Sequence, residues 1–179
     1  MHRALILALC LAAALALAPR AASAQTGPSP ETQKLAVSLG RWVYTGTAKS
    51  RSGKTTSWTW KADCRWSGNQ LFLECSFNNI WGGRPAESLV VDSYNTTDKT
   101  YWHYEMFAGG QSGANPFVSK MTVTGDEWIE NGPPPTGKRP AERIVYRWLS
   151  PTRVTVDIET STDGTNWTTV DHGVGVKQP

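Results

Sequence analysis

Ser57-Trp58-Thr59-Trp60-Lys61-Ala62-Asp63-Cys64-Arg65-Trp66 alternates without a break: Trp58, Trp60, Ala62, Cys64 and Trp66 fall on one side, and Ser57, Thr59, Lys61, Asp63 and Arg65 on the other. A period of two is the mark of a strand with one buried and one wet face. Working outward, similar runs recur at short spacing: Arg41 to Lys49 before it, then Leu71 to Trp81, Glu87 to Asn95, Thr100 to Phe107, Phe117 to Thr124, Glu127 to Glu130, Arg143 to Leu149, Arg153 to Thr160 and Trp167 to Val176. About ten strands result. Turn-forming clusters separate them, such as Asn95-Thr96-Thr97-Asp98, Gly109 to Gly113, Gly132-Pro133-Pro134-Pro135 and Thr162 to Asn166. Links this short favour antiparallel neighbours, because a parallel crossover needs about a dozen residues or more. The expected fold is all-β: a single antiparallel up-and-down barrel, favoured over a two-sheet sandwich because closure removes exposed edges.

Ahead of the strands, His2 and Arg3 precede the unbroken apolar run Ala4 to Ala18, and Ala22-Ser23-Ala24 has the small residues of a cleavage site. This reads as a secretory signal over 1–24, which makes the protein exported, periplasmic or secreted. That apolar run is too short for a comfortable membrane span, and no later stretch approaches the roughly 20 apolar residues of a spanning helix. A polar lead over 25–38 holds a short helical segment, Thr32 to Leu39, stopped by Gly40, and the barrel domain is expected over 39–179. Loss of Arg3 and Arg20 lowers the net charge from +3 to +1. With its basic residues scattered, the chain lacks the concentrated patch that binds a phosphate backbone, so nucleic acid is not an expected partner. About 155 residues remain after cleavage, enough for one ordinary domain with its own core.

Cys64 and Cys75 travel to an oxidising compartment and flank a turn at Ser67-Gly68-Asn69, so a disulfide is expected between them. A two-residue turn at Gly68-Asn69 sets Cys64 opposite Leu73; a one-pair shift or a bulge is needed to bring Cys75 level.

Leu39-Gly40-Arg41-Trp42, Val91-Asp92-Ser93-Tyr94 with Lys99-Thr100-Tyr101, and Ser161-Thr162-Asp163-Gly164-Thr165-Asn166-Trp167 occur in that order. Together they resemble a bacterial domain-of-unknown-function family with a calycin-like, lipocalin-like barrel, whose members share a Gly-x-Trp start and a Ser-x-Asp-Gly-x-x-Trp hairpin. The resemblance covers essentially all of the mature chain and implies the barrel, with the Trp42 ring plugging its closed end. It brings no catalytic motif. The chain departs from the family in having Val91 where an aromatic is usual, and in its triple-proline loop. Asp163-Gly164 also suits a plain hairpin turn.

A barrel of this size has an interior either packed or left open for a ligand. The nine tryptophans of the chain serve both readings. If the apolar side of each strand turns inward, Trp58, Trp60, Phe77, Trp81, Trp102, Tyr104, Tyr146 and Trp148 line a cavity suited to a small hydrophobic molecule, an aromatic one above all. Only His103 and His172 remain in the mature chain. In the last strand Val170, His172, Val174 and Val176 share a face, which makes His172 the inward candidate for a general base or a ligand-orienting group. With the Trp102 face inside, His103 and Glu105 are a solvated pair. With that strand reversed, they become an acid–base couple.

No Gly-x-Ser-x-Gly, His-Glu-x-x-His, phosphate loop or nucleotide fingerprint is present, and two histidines leave zinc short of ligands. The leading expectation is a barrel that binds a small hydrophobic, aromatic molecule without a cofactor. The alternative is a cofactor-free lyase, isomerase or cyclase using His172 or His103/Glu105, assisted by Tyr104 or Tyr146. Haem ligation through His172 and a structural role in the envelope are lesser alternatives.

Overall fold

All ten expected strands form in the computed structural model, which describes residues 27–49, 53–81, 83–108, 117–136 and 139–179. They are β1 (Gly40–Lys49), β2 (Thr55–Trp66), β3 (Phe72–Trp81), β4 (Arg84–Asn95), β5 (Thr100–Ala108), β6 (Phe117–Thr124), β7 (Glu127–Asn131), β8 (Ala141–Ser150), β9 (Arg153–Ser161) and β10 (Thr168–Lys177). Each pairs with its sequence neighbour in antiparallel fashion, and β1 also pairs with β10, closing an up-and-down barrel with no free edge. The expected signal over 1–24 and the expected Gly109-to-Gly113 turn lie outside the described residues.

One end of the barrel is plugged. A short helix, α1 (Pro30–Lys34), starts at Ser29, whose hydroxyl accepts from the Thr32 backbone N–H at 3.0 Å, and has proline in its first turn. It runs into a 3-10 turn, Leu35–Ser38, so the expected helical segment begins two residues earlier and tightens midway. Leu35 is fully buried, Tyr101 donates its hydroxyl to the Glu31 carbonyl at 3.0 Å, and the Trp42 indole donates to the Ser38 carbonyl at 2.9 Å. Trp42 and Trp128 both meet the Trp148 ring edge-on, at 5.5 and 5.6 Å between centroids. These rings and Leu73 and Val154 form a closed apolar floor.

Cys64 and Cys75 stand directly opposite, 4.1 Å apart at Cα, and are bonded. The register differs from that of a two-residue turn, because the connection runs from Ser67 to Leu71. Gln70 takes positive φ there, and Ser67 and Asn69 side chains bond the turn backbone. Closing this short loop contributes about 2–3 kcal/mol in the chain-entropy picture.

The opposite orientation to that expected is found in β10. Asp171, Gly173 and Gly175 pair with the inward residues Ile158, Val156 and Val154, while His172 pairs with Asp157 on the outer surface. The reason is steric. A Cβ on Gly173 would lie 2.4 Å from the Trp58 ring, and one on Gly175 would lie 2.5 Å from the Tyr44 ring. Gly46, the β1 partner of Gly173, has the same relation to Trp58, at 2.2 Å. Two large rings therefore occupy the space that valine side chains would need. Gly173→Ala should lower stability by about 1–3 kcal/mol through overpacking against Trp58. Guanidinium unfolding of the variant beside the parent measures the loss.

Candidate functional site

Above the floor, the described residues leave the barrel interior open toward the end carrying residues 132–136 and 162–167. A cavity of about 450 Å³ occupies it, within the range of small-molecule sites. Its walls divide by chemistry. Trp60 of β2, Phe77 of β3, Ile144 and Tyr146 of β8 and Ile158 of β9 supply one apolar side. His103 and Glu105 of β5 and Glu130 of β7 supply a polar side, with Phe107 and Phe117 above them.

The polar side is a belt running across four consecutive strands. Asp92, His103 and Ser119 are successive register partners on β4, β5 and β6, and Glu130 follows on β7. All four are buried. His103 Nδ1 donates to Asp92 Oδ1 at 2.8 Å, its Nε2 lies 3.5 Å from Glu130 Oε1, and the Ser119 hydroxyl donates to the same Oε1 at 3.1 Å. Burial pulls the imidazole pKa down, but the hydrogen bond to Asp92 and the charges of Glu130, Asp92 and Glu105 outweigh it and hold it up at about 9. Burial pushes Glu130 up to about 7, with the His103 charge acting against it. Glu105 is raised for the same first reason, against the Ser88 hydroxyl and His103. Burial also raises Tyr146 well above the ordinary phenol, and the Glu130 charge adds to it.

The inward turn of His103 and Glu105 is the reversed orientation of β5. Trp102, Tyr104 and Met106 stand on the outer face, and Tyr104 and Met106 are exposed. Trp102 and Tyr104 therefore leave the set of expected cavity residues. The hairpin explains the reversal: the Asn95 side chain bonds the turn backbone, Lys99 takes positive φ, and Tyr94 is set opposite Tyr101, rings 4.8 Å apart, over α1. Anchoring Tyr101 inward fixes every second residue after it inward as well.

Of the other expected residues, Trp60, Phe77 and Tyr146 line the cavity. Trp58 is buried in the wall and donates its indole N–H to Asp171 at 2.5 Å. Trp148 belongs to the floor, and the side chain of Trp81 lies outside the described part. His172 is corrected: its exposed imidazole bonds Asp157 at 2.6 Å in an outer chain that continues through Arg147 to Glu127. A haem or substrate inside the barrel is beyond its reach. Sequence reading missed Asp92, Ser119 and Glu130 as site residues. A signal for Glu130 was present, since it shares a strand face with Trp128.

Among the described residues no group of three or more histidine, cysteine, aspartate or glutamate side chains is arranged to hold a metal ion, and no helix is long and apolar enough to cross a membrane.

Fold and interior define a closed, ten-strand, antiparallel up-and-down β-barrel with an internal cavity. The chain is similar in structure to Rv2717c from M. tuberculosis, with a TM-score of 0.56 and 16% identity over 84% of this chain and 99% of that one. It is similar to the S-type phycobiliprotein lyase CPES from Guillardia theta, with a TM-score of 0.55 and 10% identity over 82% and 92%. No protein-family model matches the chain, and no curated protein matches it.

Stability should carry the imprint of the belt. The folded imidazole pKa is raised from 6.5 to about 9, so its stabilisation is complete below about pH 6.5 and is lost as pH rises through about 9. Glu130 also holds its proton more tightly when folded, so ionising it costs stability between about pH 4.5 and 7. Both effects have one sign. The urea midpoint should fall from pH 5 to 9, and His103→Gln should flatten the upper half of that fall.

Proposed function

We propose that this is an exported binding barrel for a small hydrophobic, aromatic molecule, taken up through the open end and held between Trp60, Phe77 and Tyr146. The observation that carries the reading is the cavity of about 450 Å³ between aromatic side chains and a buried polar belt. A barrel with only a structural role gains nothing from leaving this volume unfilled, since packed interiors are more stable. Binding of this kind needs no cofactor. The Cys64–Cys75 bond supports export, because disulfides persist in oxidising compartments. Membership of the bacterial barrel family with the Gly-x-Trp start is part of the same proposal, supported by the barrel and by Trp42 in its floor. The likeness to a phycobiliprotein lyase supports a ligand-holding barrel in general terms only.

The test uses indole as a probe. Its titration by calorimetry should show saturable binding, and Val90→Trp, which fills the cavity from β4, should weaken it at least about tenfold while the circular dichroism stays that of the parent. Binding unchanged in a folded Val90→Trp protein would sink the reading.

A second reading is favoured by one observation, the imidazole held cationic between two carboxyl groups beside Tyr146. Such a unit can give a proton to a bound phenolic or enolic ring carbon and take it back, the chemistry of a cofactor-free isomerase or lyase. In deuterated buffer the protein should then speed deuterium uptake at the ring carbons of bound resorcinol. Loss of that exchange in a folded His103→Gln variant is the expected outcome, and an unchanged rate removes His103 from any such role.

A further inference from the structure

Among the described residues, the deep part of the cavity is short of positive charge. Glu105 and Glu130 line it, with Asp92 buried behind, against one imidazole, His103, whose two ring nitrogens are taken up by Asp92 and Glu130. Both contacts of Glu130 fall on Oε1, leaving Oε2 with no hydrogen-bond partner among the described residues, although the side chain is only 5% exposed and lines the cavity. Across from it, Asn79 Oδ1 is a buried acceptor with no partner, and Asn79 also lines the cavity. A buried acceptor left unpaired costs about 1–3 kcal/mol, so Asn79 Oδ1 calls for a donor, and the cavity-facing Oε2 of Glu130 is free to accept from a ligand that donates.

Among the described residues, the two arginines that line the cavity do not fill the gap. Arg143 is paired with Glu159 at 2.6 Å and stacks on Trp167, and Arg139 stands at the mouth with Glu142. The remaining walls are ring faces, those of Trp60, Phe77 and Tyr146, which attract a cation through their quadrupoles.

We infer that the cavity selects aromatic molecules carrying a protonated amine, the ring lying against Trp60 and Phe77 and the ammonium group donating to Glu130. This rests on the binding reading above and names its ligand class. The ammonium group takes the place of the proton that an empty, low-dielectric site leaves on Glu130. Binding should therefore release about one proton near pH 6, and affinity should rise from pH 5 to 8 while the amine stays charged. Other titratable groups around Glu130 are Asp92 on β4, His103 and Glu105 on β5, Tyr146 on β8 and Tyr44 on β1. Asp171 on β10 is committed to Trp58, and Arg139, Glu142 and Arg143 stand at the mouth.

Three probes with one indole ring separate the outcomes: tryptamine, which is cationic, tryptophol, which is neutral, and indole-3-propionate, which is anionic. Calorimetry on the intact protein at pH 7.5 should give tryptamine at least about tenfold tighter binding than tryptophol, with propionate weakest. Glu130→Gln should abolish the preference, and the proton release with it, while leaving tryptophol binding within about threefold. Glu105→Gln should reduce the preference to a smaller extent and serves if the first variant does not fold. Equal affinity for tryptamine and tryptophol would overturn the amine inference and leave the binding reading standing. Tightest binding by propionate would overturn it in favour of the mouth arginines. Binding by none of the three overturns it as well, and the indole titration in the Val90→Trp variant then decides the binding reading separately.

Discussion

The contact on which the barrel depends is that of the Trp58 ring with the backbone of Gly46 and Gly173, repeated by Tyr44 over Gly175. No side chain larger than hydrogen fits at these glycines, so the first and last strands can meet only with this face inward. Closure then follows, because β1 and β10 are the strands whose pairing removes the two edges of the meander. The same packing sends Asp171 into the wall to receive the Trp58 N–H, and sends His172 out. A strand order that looks like simple succession is locked by two rings and three glycines.

From this closure the division of the interior follows. Large rings concentrate at the end covered by α1 and leave little room there, whereas higher up β4 carries Ala86 and Val90, Gly132 follows β7, and the wall recedes into a cavity. Into it the middle strands place carboxyl groups and an imidazole that hold one another's charge. Burial disfavours each ionised group, and the hydrogen bond between His103 and Asp92 offsets that cost for the pair. Glu105 and Glu130 are left with the penalty, and their raised pKa values are its expression. Buried acids that are not fully compensated are expensive, and in a cavity they mark where a ligand's donors belong.

Several features were legible from residue order alone. Alternation from Ser57 to Trp66, the spacing of the turns and the absence of long helical periods announced ten antiparallel strands and a barrel, because strand periodicity is a local property of the backbone. The Cys64–Cys75 bond was legible for the same reason, with its register left open by the turn. Inward residues were legible where one face is plainly apolar, as at Trp60 and Phe77. Where both faces carry aromatics the rule fails: Trp102 and Tyr104 compete with Tyr101 and Phe107, and valines compete with glycines on the last strand.

Only the tertiary structure decided those faces, and with them the site. Tyr101 points inward because α1 offers it the Glu31 carbonyl and Tyr94 its ring, and that choice carries His103 and Glu105 into the cavity. Asp92 and Glu130 meet His103 from strands eleven and twenty-seven positions away, a distance over which no local pattern reports. By itself the sequence determined an all-β chain of about ten antiparallel strands with a bonded cysteine pair, since those features depend on neighbouring residues. Which side chains share a buried volume depends on how the closed sheet folds back on itself, and closure is a property of the whole barrel.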